Sequence, residues 1–123
     1  MASVNVRYIV DDVETAIAFY RDRLGFAVDF HPAPGFAALS RGDLGLLLNR
    51  PGAGGAGTAG GTPRPGGWNR IQLEVDDLDA VVARLRSDGA TFRGDIVEGM
   101  GGRQILVEDP AGNPIELFEA GKR

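Results

Sequence analysis

Cysteine is absent from the sequence, which excludes disulfides, zinc–thiolate sites, iron–sulfur clusters and cysteine nucleophiles. Histidine is nearly absent: His31 is the only one, too few for the two imidazoles of a non-haem iron oxygenase. There is no basic excess. Thirteen Lys and Arg face 17 Asp and Glu, for a net charge of -4. Phosphate neutralisation needs a basic face, so no nucleic-acid partner is expected. No apolar run approaches the roughly 18–20 residues of a membrane helix, so no membrane partner is expected. The N-terminal residues Met1 to Val10 lack a basic segment followed by an apolar stretch, and they do not read as a signal peptide. The expected address is the cytoplasm.

What remains is a chain of 123 residues that are 43% hydrophobic, enough for one domain or two small fused modules. A module of half this length buries too little surface to be comfortable alone. The halves are therefore expected to pack together or to pair with another chain.

An internal repeat supports two modules. Val13, Ala16, Ile17 and Tyr20 fall at i, i+3, i+4 and i+7, and Leu78, Val81, Val82 and Leu85 repeat those steps. That spacing makes one apolar stripe on a helix. Asp12 and Asp77 precede the stripes as N-caps, with Glu14 and Asp79 in the first turns. Gly25 and Gly89 follow as stops.

An alternating segment precedes each helix: Val4, Val6, Tyr8 and Val10 in the first half, Ile71, Leu73 and Val75 in the second. Period two means strand. Three more strands are predicted after each helix, at 27–31, 36–40 and 44–49, then at 91–97, 103–108 and 114–119. Gly42-Asp43 and the DPAGN run from Asp109 to Asn113 supply turns. Each half thus reads β-α-β-β-β, an α+β fold. Residues 51–67 are too rich in Gly and Pro for either regular element and read as a flexible linker. A phosphate-binding loop would need a strand before it and a helix after it, and here Trp68 and a strand follow. The division is therefore 1–50, linker 51–67, and 68–123.

Two sets of residues carry a family resemblance. Asp12-Val13-Glu14 through Phe19-Tyr20, then Leu24-Gly25-Phe26, resembles the first-module signature of the glyoxalase / bleomycin resistance / extradiol dioxygenase (vicinal oxygen chelate) superfamily. Val75-Asp76-Asp77-Leu78-Asp79 and the string Glu108 to Leu117 resemble its second-module signature. The resemblance implies tandem βαβββ modules forming a cupped mixed sheet around a cleft, commonly in a homodimer. It does not imply one reaction, because this fold hosts isomerases, epimerases, dioxygenases, thiol transferases and drug-binding proteins.

The resemblance also implies where metal-dependent members keep their ligands: early in each module's first strand and late in its last. Counting seven residues back from the capping aspartates gives Asn5 and Arg70. Aligning the turn glycines Gly42 and Gly112 puts Leu46 opposite Glu116. Only Glu116 is an ordinary metal ligand. Asn5 is a weak one, Leu46 has no donor atom, and Arg70 has no lone pair to offer. Its charge would also repel a divalent ion by several kcal/mol, taking roughly 332/εr with ε about 20. No metal and no other cofactor is expected.

Three uses of Arg70 and Glu116 stay open. They form a structural ion pair; or Arg70 binds an anionic or carbonyl group while Glu116 holds the guanidinium; or Glu116 is a general base, a role an adjacent guanidinium weakens. If the helices cover the odd-numbered face of 71–75, the cleft face carries Arg70, Gln72 and Glu74. The same phase assigns Asn5, Arg7 and Ile9, then Leu46 and Leu48, then Glu116 and Phe118, to the cleft. Trp68, Phe30 and Phe36 are placed at its rim. Trp68 either stacks on an aromatic ligand or anchors the linker. His31 reads as a surface or turn residue. Arg103 and Gln104 are candidates for the cleft mouth, behind a Gly99–Gly102 loop that is either a gate or an ordinary hairpin.

The ligand-binding set is therefore Asn5, Arg7, Leu46, Leu48, Trp68, Arg70, Gln72, Glu116 and Phe118. A partly apolar lining with a few polar groups suits a small molecule. The leading expectation is a metal-independent protein that binds an antibiotic or metabolite, similar to the drug-sequestering members of the superfamily. A metal-dependent lyase or isomerase of the glyoxalase type is the alternative, and a regulatory module with a vestigial cleft is a third.

Overall fold

The computed structural model describes residues 4–53 and 63–121. The middle of the predicted linker, 54–62, lies outside the described residues, as do 1–3 and 122–123. The chain divides into two compact units, 1–66 with Pro110–Asn113, and 67–109 with 114–123.

The first unit is one βαβββ module. Its elements are β1 (Val4–Ile9), α1 (Val13–Leu24), β2 (Ala27–Ala33), β3 (Phe36–Arg41) and β4 (Leu44–Asn49). The sheet order is β1-β4-β3-β2, with β1 parallel to β4 and the other pairs antiparallel. Asp12 caps α1 by accepting a hydrogen bond from Thr15 N at 3.2 Å. The helix ends where Gly25 takes a left-handed φ of 75°, which an L side chain resists. The apolar stripe is buried as its spacing demands: Val13, Ala16, Ile17, Tyr20 and Leu24. Tyr20 meets Phe26 edge to face, centroids 5.4 Å apart.

The second unit holds β5 (Ile71–Glu74), α2 (Leu78–Ser87), β6 (Thr91–Phe92), β7 (Val97–Glu98), β8 (Gly102–Glu108) and β9 (Pro114–Ala120). The sheet runs β5-β9-β8-β6, with β7 also paired to β8. The single strand predicted at 91–97 is two short strands, because both pair with β8 on one edge with a bend between. Asp77 caps α2 through Ala80 N at 3.1 Å, and Glu119 Oε1 accepts from Leu78 N at 2.8 Å. Two of the first-turn N–H groups that a helix leaves unpaired are thereby satisfied.

The DPAGN turn is shared between the units by sequence, and its Pro110–Asn113 segment packs with the first. Asn113 is the anchor there. Its Oδ1 accepts from Gly66 N at 2.7 Å and its Nδ2 donates to Ile9 O at 2.8 Å, in a site only 4% exposed. Among the described residues no helix is long and apolar enough to cross a membrane.

Candidate functional site

Each sheet has one face covered by its helix and one open face. Strand register assigns residues to them, since directly paired residues share a face. In the second unit Gln72 pairs with Glu116 and Glu74 with Phe118. Ile71 and Leu73 are buried, and Gln72 and Glu74 are exposed. The open face therefore carries Gln72, Glu74, Glu116 and Phe118, the phase the alternation predicts.

In the first unit the same test corrects the sequence reading. Val6 pairs with Leu46 and Tyr8 with Leu48, and those two leucines pair across with Leu39 and Ala37. Leu46, Leu48, Leu39 and Ala37 are all at most 1% exposed. Leu46 and Leu48 therefore belong to the helix-side core, not to the open face. The residue on the open face is Leu47, opposite Arg7. The turn glycines align the two modules one residue out of phase, and in a strand one residue exchanges the faces. Leu47 thus becomes the first-module counterpart of Glu116, and it is equally without a donor atom.

Asn5 and Arg7 lie on the first unit's open face, both exposed. Asn5 crosses the backbone at Gly45, where a Cβ would collide with its Oδ1. Arg7 Nη1 donates to Asn49 Oδ1 at 2.7 Å, and Asn49 is fully buried, with its Nδ2 bonded to Arg50 O and Ala53 O. Phe30 is exposed on β2 and Phe36 is half-buried on β3. His31, on β2, places Nε2 3.2 Å from Glu14 Oε1.

The second unit brings Arg70, Gln72 and Glu116 into one cluster. Arg70 donates to Glu116 Oε1 from Nε at 3.1 Å and from Nη2 at 3.0 Å. Gln72 Nε2 donates to Glu116 Oε2 at 2.7 Å. Both carboxylate oxygens are engaged, and Glu116 is 8% exposed. Arg70 Nη1 also donates, at 3.4 Å, to Trp68 O.

Trp68 is 67% exposed, so it is not buried as an anchor. The Arg93 guanidinium lies over its ring at 4.5 Å. Arg93 is itself held by Glu108 Oε2 at 2.8 Å and by Gly67 O at 2.6 Å. Sequence reading missed Arg93, since nothing local signals a contact made 25 residues away. Beside this pair is a pocket of about 190 Å³, lined among others by Trp68, Val97, Gln104 and Leu106.

Arg103 turns away from the open face. It pairs with Glu119 across β8 and β9, and reaches Asp79 Oδ2 at 2.9 Å and Glu119 Oε2 at 3.3 Å. That network secures the start of α2. The Arg103 hydrogen bond holds the Asp79 carboxyl below the usual carboxylate range. Gln104, the next residue, faces the pocket. Gly99 N donates to Gly102 O at 2.8 Å, closing the β7–β8 connection as a tight hairpin with Met100 exposed at its tip.

A divalent ion would need several lone-pair donors. Arg70 brings only N–H groups, Leu47 brings hydrocarbon, and the oxygens of Glu116 already accept three hydrogen bonds. Among the described residues no group of three or more His, Cys, Asp or Glu is arranged to hold a metal. These side chains do not fit a metal centre.

The fold and the motif positions correspond to a family model. Residues 3–117 match the Glyoxalase/Bleomycin resistance protein/Dioxygenase superfamily, and the chain belongs to that superfamily. Among solved structures it is similar to a superfamily member from Sphaerobacter thermophilus, at 29% identity, covering 97% of this chain and 98% of that one with a TM-score of 0.78. It is also similar to TnmS3, an antibiotic binding protein from Streptomyces sp. CB03234, at 27% identity over 98% of each chain, TM-score 0.74. A lactoylglutathione lyase from Agrobacterium tumefaciens shares the fold at 23% identity, covering 96% and 92%, TM-score 0.73. A search of curated proteins found no match.

Proposed function

We propose that this chain is a metal-independent binding protein for a small organic molecule, an antibiotic or a metabolite, held on the open face of its second module. The observation that carries the reading is the Arg70–Glu116–Gln72 cluster. A guanidinium sits against Glu116, the carboxylate at the position the family resemblance marks for a ligand, and both carboxylate oxygens are spent on it and on Gln72. The cluster instead presents N–H donors beside an apolar pocket, a combination suited to orienting an organic ligand. The likeness to an antibiotic binding protein supports the same direction. We further propose that the protein acts in the cytoplasm as a homodimer. A glyoxalase-type lyase is the competing reading. It requires a bound cation, and against it stand the Arg70 guanidinium beside Glu116 and the hydrocarbon side chain of Leu47.

The test is a pair of measurements on the full chain. Equilibrium dialysis with Zn²⁺, Ni²⁺ and Mn²⁺ is expected to give no stoichiometric uptake at micromolar metal. A thermal-shift screen of aromatic antibiotics and metabolites in chelator is expected to give stabilising ligands, since a ligand at 100 times its Kd adds about 2.7 kcal/mol. One equivalent of tightly held metal would sink the reading.

A further inference from the structure

The pocket and the charged cluster adjoin. Leu106, in the pocket wall, is the cross-strand partner of Glu116. Trp68, another residue of the pocket lining, accepts a hydrogen bond from Arg70 through its carbonyl. Arg70 is not itself in the pocket lining, but through Trp68 and Leu106 the flat apolar end adjoins a hydrogen-bonding end. At the flat end, Arg93 covers one side of the Trp68 indole. The ring is still 67% exposed, which leaves its other side for a ligand. At the polar end, Arg70 uses three of its N–H groups, two on Glu116 and one on Trp68 O. A guanidinium has five, so two remain. The Gln104 amide adds a side chain with no hydrogen bond to any described residue.

Charge balance decides what those donors are for. Arg70 is matched by Glu116 and Arg93 by Glu108. Asp95, in the pocket lining, is matched by Arg86 at 3.8 Å, and Glu74 on the open face is a further negative group. No net positive charge is left to hold an anion, while spare N–H groups still favour a neutral oxygen acceptor. The volume, about 190 Å³, is below the roughly 300–1,000 Å³ of a whole drug-sized site, so it takes a fragment of one or two fused rings.

Resting on the binding-protein reading, we infer that the site selects an uncharged, flat aromatic ring bearing a carbonyl at its edge: the ring stacks on Trp68 and the carbonyl oxygen accepts from Arg70. Arg93 is a positioning residue. It fixes the indole by stacking on it and by bonding Gly67 O, one residue earlier in the chain.

Trp68 is the sole tryptophan, so its indole N–H signal in a ¹⁵N-correlation spectrum reports on this site without assignment. We would titrate the full chain with 2-acetonaphthone, 2-ethylnaphthalene, 2-naphthoate and cyclohexyl methyl ketone. The aromatic ketone is expected to move the indole signal saturably and to bind about fivefold or more tighter than each of the others, the worth of one hydrogen bond or one stacking contact. Arg70→Gln is expected to erase the ketone's advantage over ethylnaphthalene and to leave ethylnaphthalene binding unchanged. Arg93→Leu is expected to weaken both aromatic probes together. Trp68→Ala, at an exposed position, is expected to fold normally and lose the stacking of either. Equal binding of ketone and ethylnaphthalene, tighter binding of naphthoate, or no saturable shift with any probe would each overturn the inference. No saturable indole shift with these probes, together with a screen hit that binds away from Trp68, would overturn it and leave the broader reading standing; stoichiometric metal uptake would remove that reading while the ketone titration still judged this one.

Discussion

Arg70→Met is the substitution with the clearest physical consequence. It removes the guanidinium from a carboxylate whose side chain is 10% exposed, while the Arg70 side chain itself is 31% exposed. Breaking a fully buried pair by removing one partner costs about 3–5 kcal/mol. An exposed pair contributes about 0–1 kcal/mol. This pair lies between, and Gln72 still donates to Oε2 at 2.7 Å after the change. The expected loss is about 1.5–3 kcal/mol, interpolated between those limits. For a chain of this size it corresponds to a fall in Tm of about 5–15 °C. Urea denaturation followed by far-ultraviolet circular dichroism measures it. The companion is Glu116→Leu. With both groups replaced by apolar ones no charge is stranded, so the double variant is expected to recover at least about 1 kcal/mol relative to the sum of the singles. If Arg70→Met costs under about 0.5 kcal/mol and the two changes simply add, the pair is not formed in solution. Glu116 would then be free of the guanidinium that opposes a cation there.

Other outcomes follow from the same geometry. Leu46→Ala is expected to cost about 2–5 kcal/mol as a core truncation, and Leu47→Ala less than half of that; equal losses by urea titration would contradict the strand phase assigned here. Asn113→Ala removes the partner of Gly66 N and Ile9 O in a buried site and is expected to cost about 1–3 kcal/mol by the same assay. The Asp79 carboxyl is expected to titrate below the usual carboxylate value, and Arg103→Gln to move its midpoint up, both read by carbon-detected NMR. Because the folded value is the lower one, this contact stabilises the protein above the unfolded value of about 3.9 and the contribution is lost as pH falls through the folded midpoint.

Much of the architecture was legible in local pattern. The stripes starting at Val13 and Leu78, the capping Asp12 and Asp77, and the glycine stop at residue 25 are each read from residues within a few positions of one another, and helices are decided at that range. The alternation at Ile71, Gln72, Leu73 and Glu74 carries its own phase, because only one face is apolar. It therefore placed Gln72 on the open face, and Glu116 followed. The run Leu44-Gly45-Leu46-Leu47-Leu48 has no such contrast. Apolar side chains on both faces leave the phase undetermined, and only pairing with Val6 and Tyr8 decides it.

Sequence by itself determined both helices and most of the strands, that the chain repeats one module, and that cysteine is absent and histidine single, since these depend on residue type and short-range spacing. Tertiary structure alone decided that Arg93 stacks on Trp68, that Arg103 serves the start of α2, and that Leu47 rather than Leu46 faces outward. Those outcomes depend on which strands meet and in what register, and the energy that selects a register is summed over contacts between residues far apart in the chain.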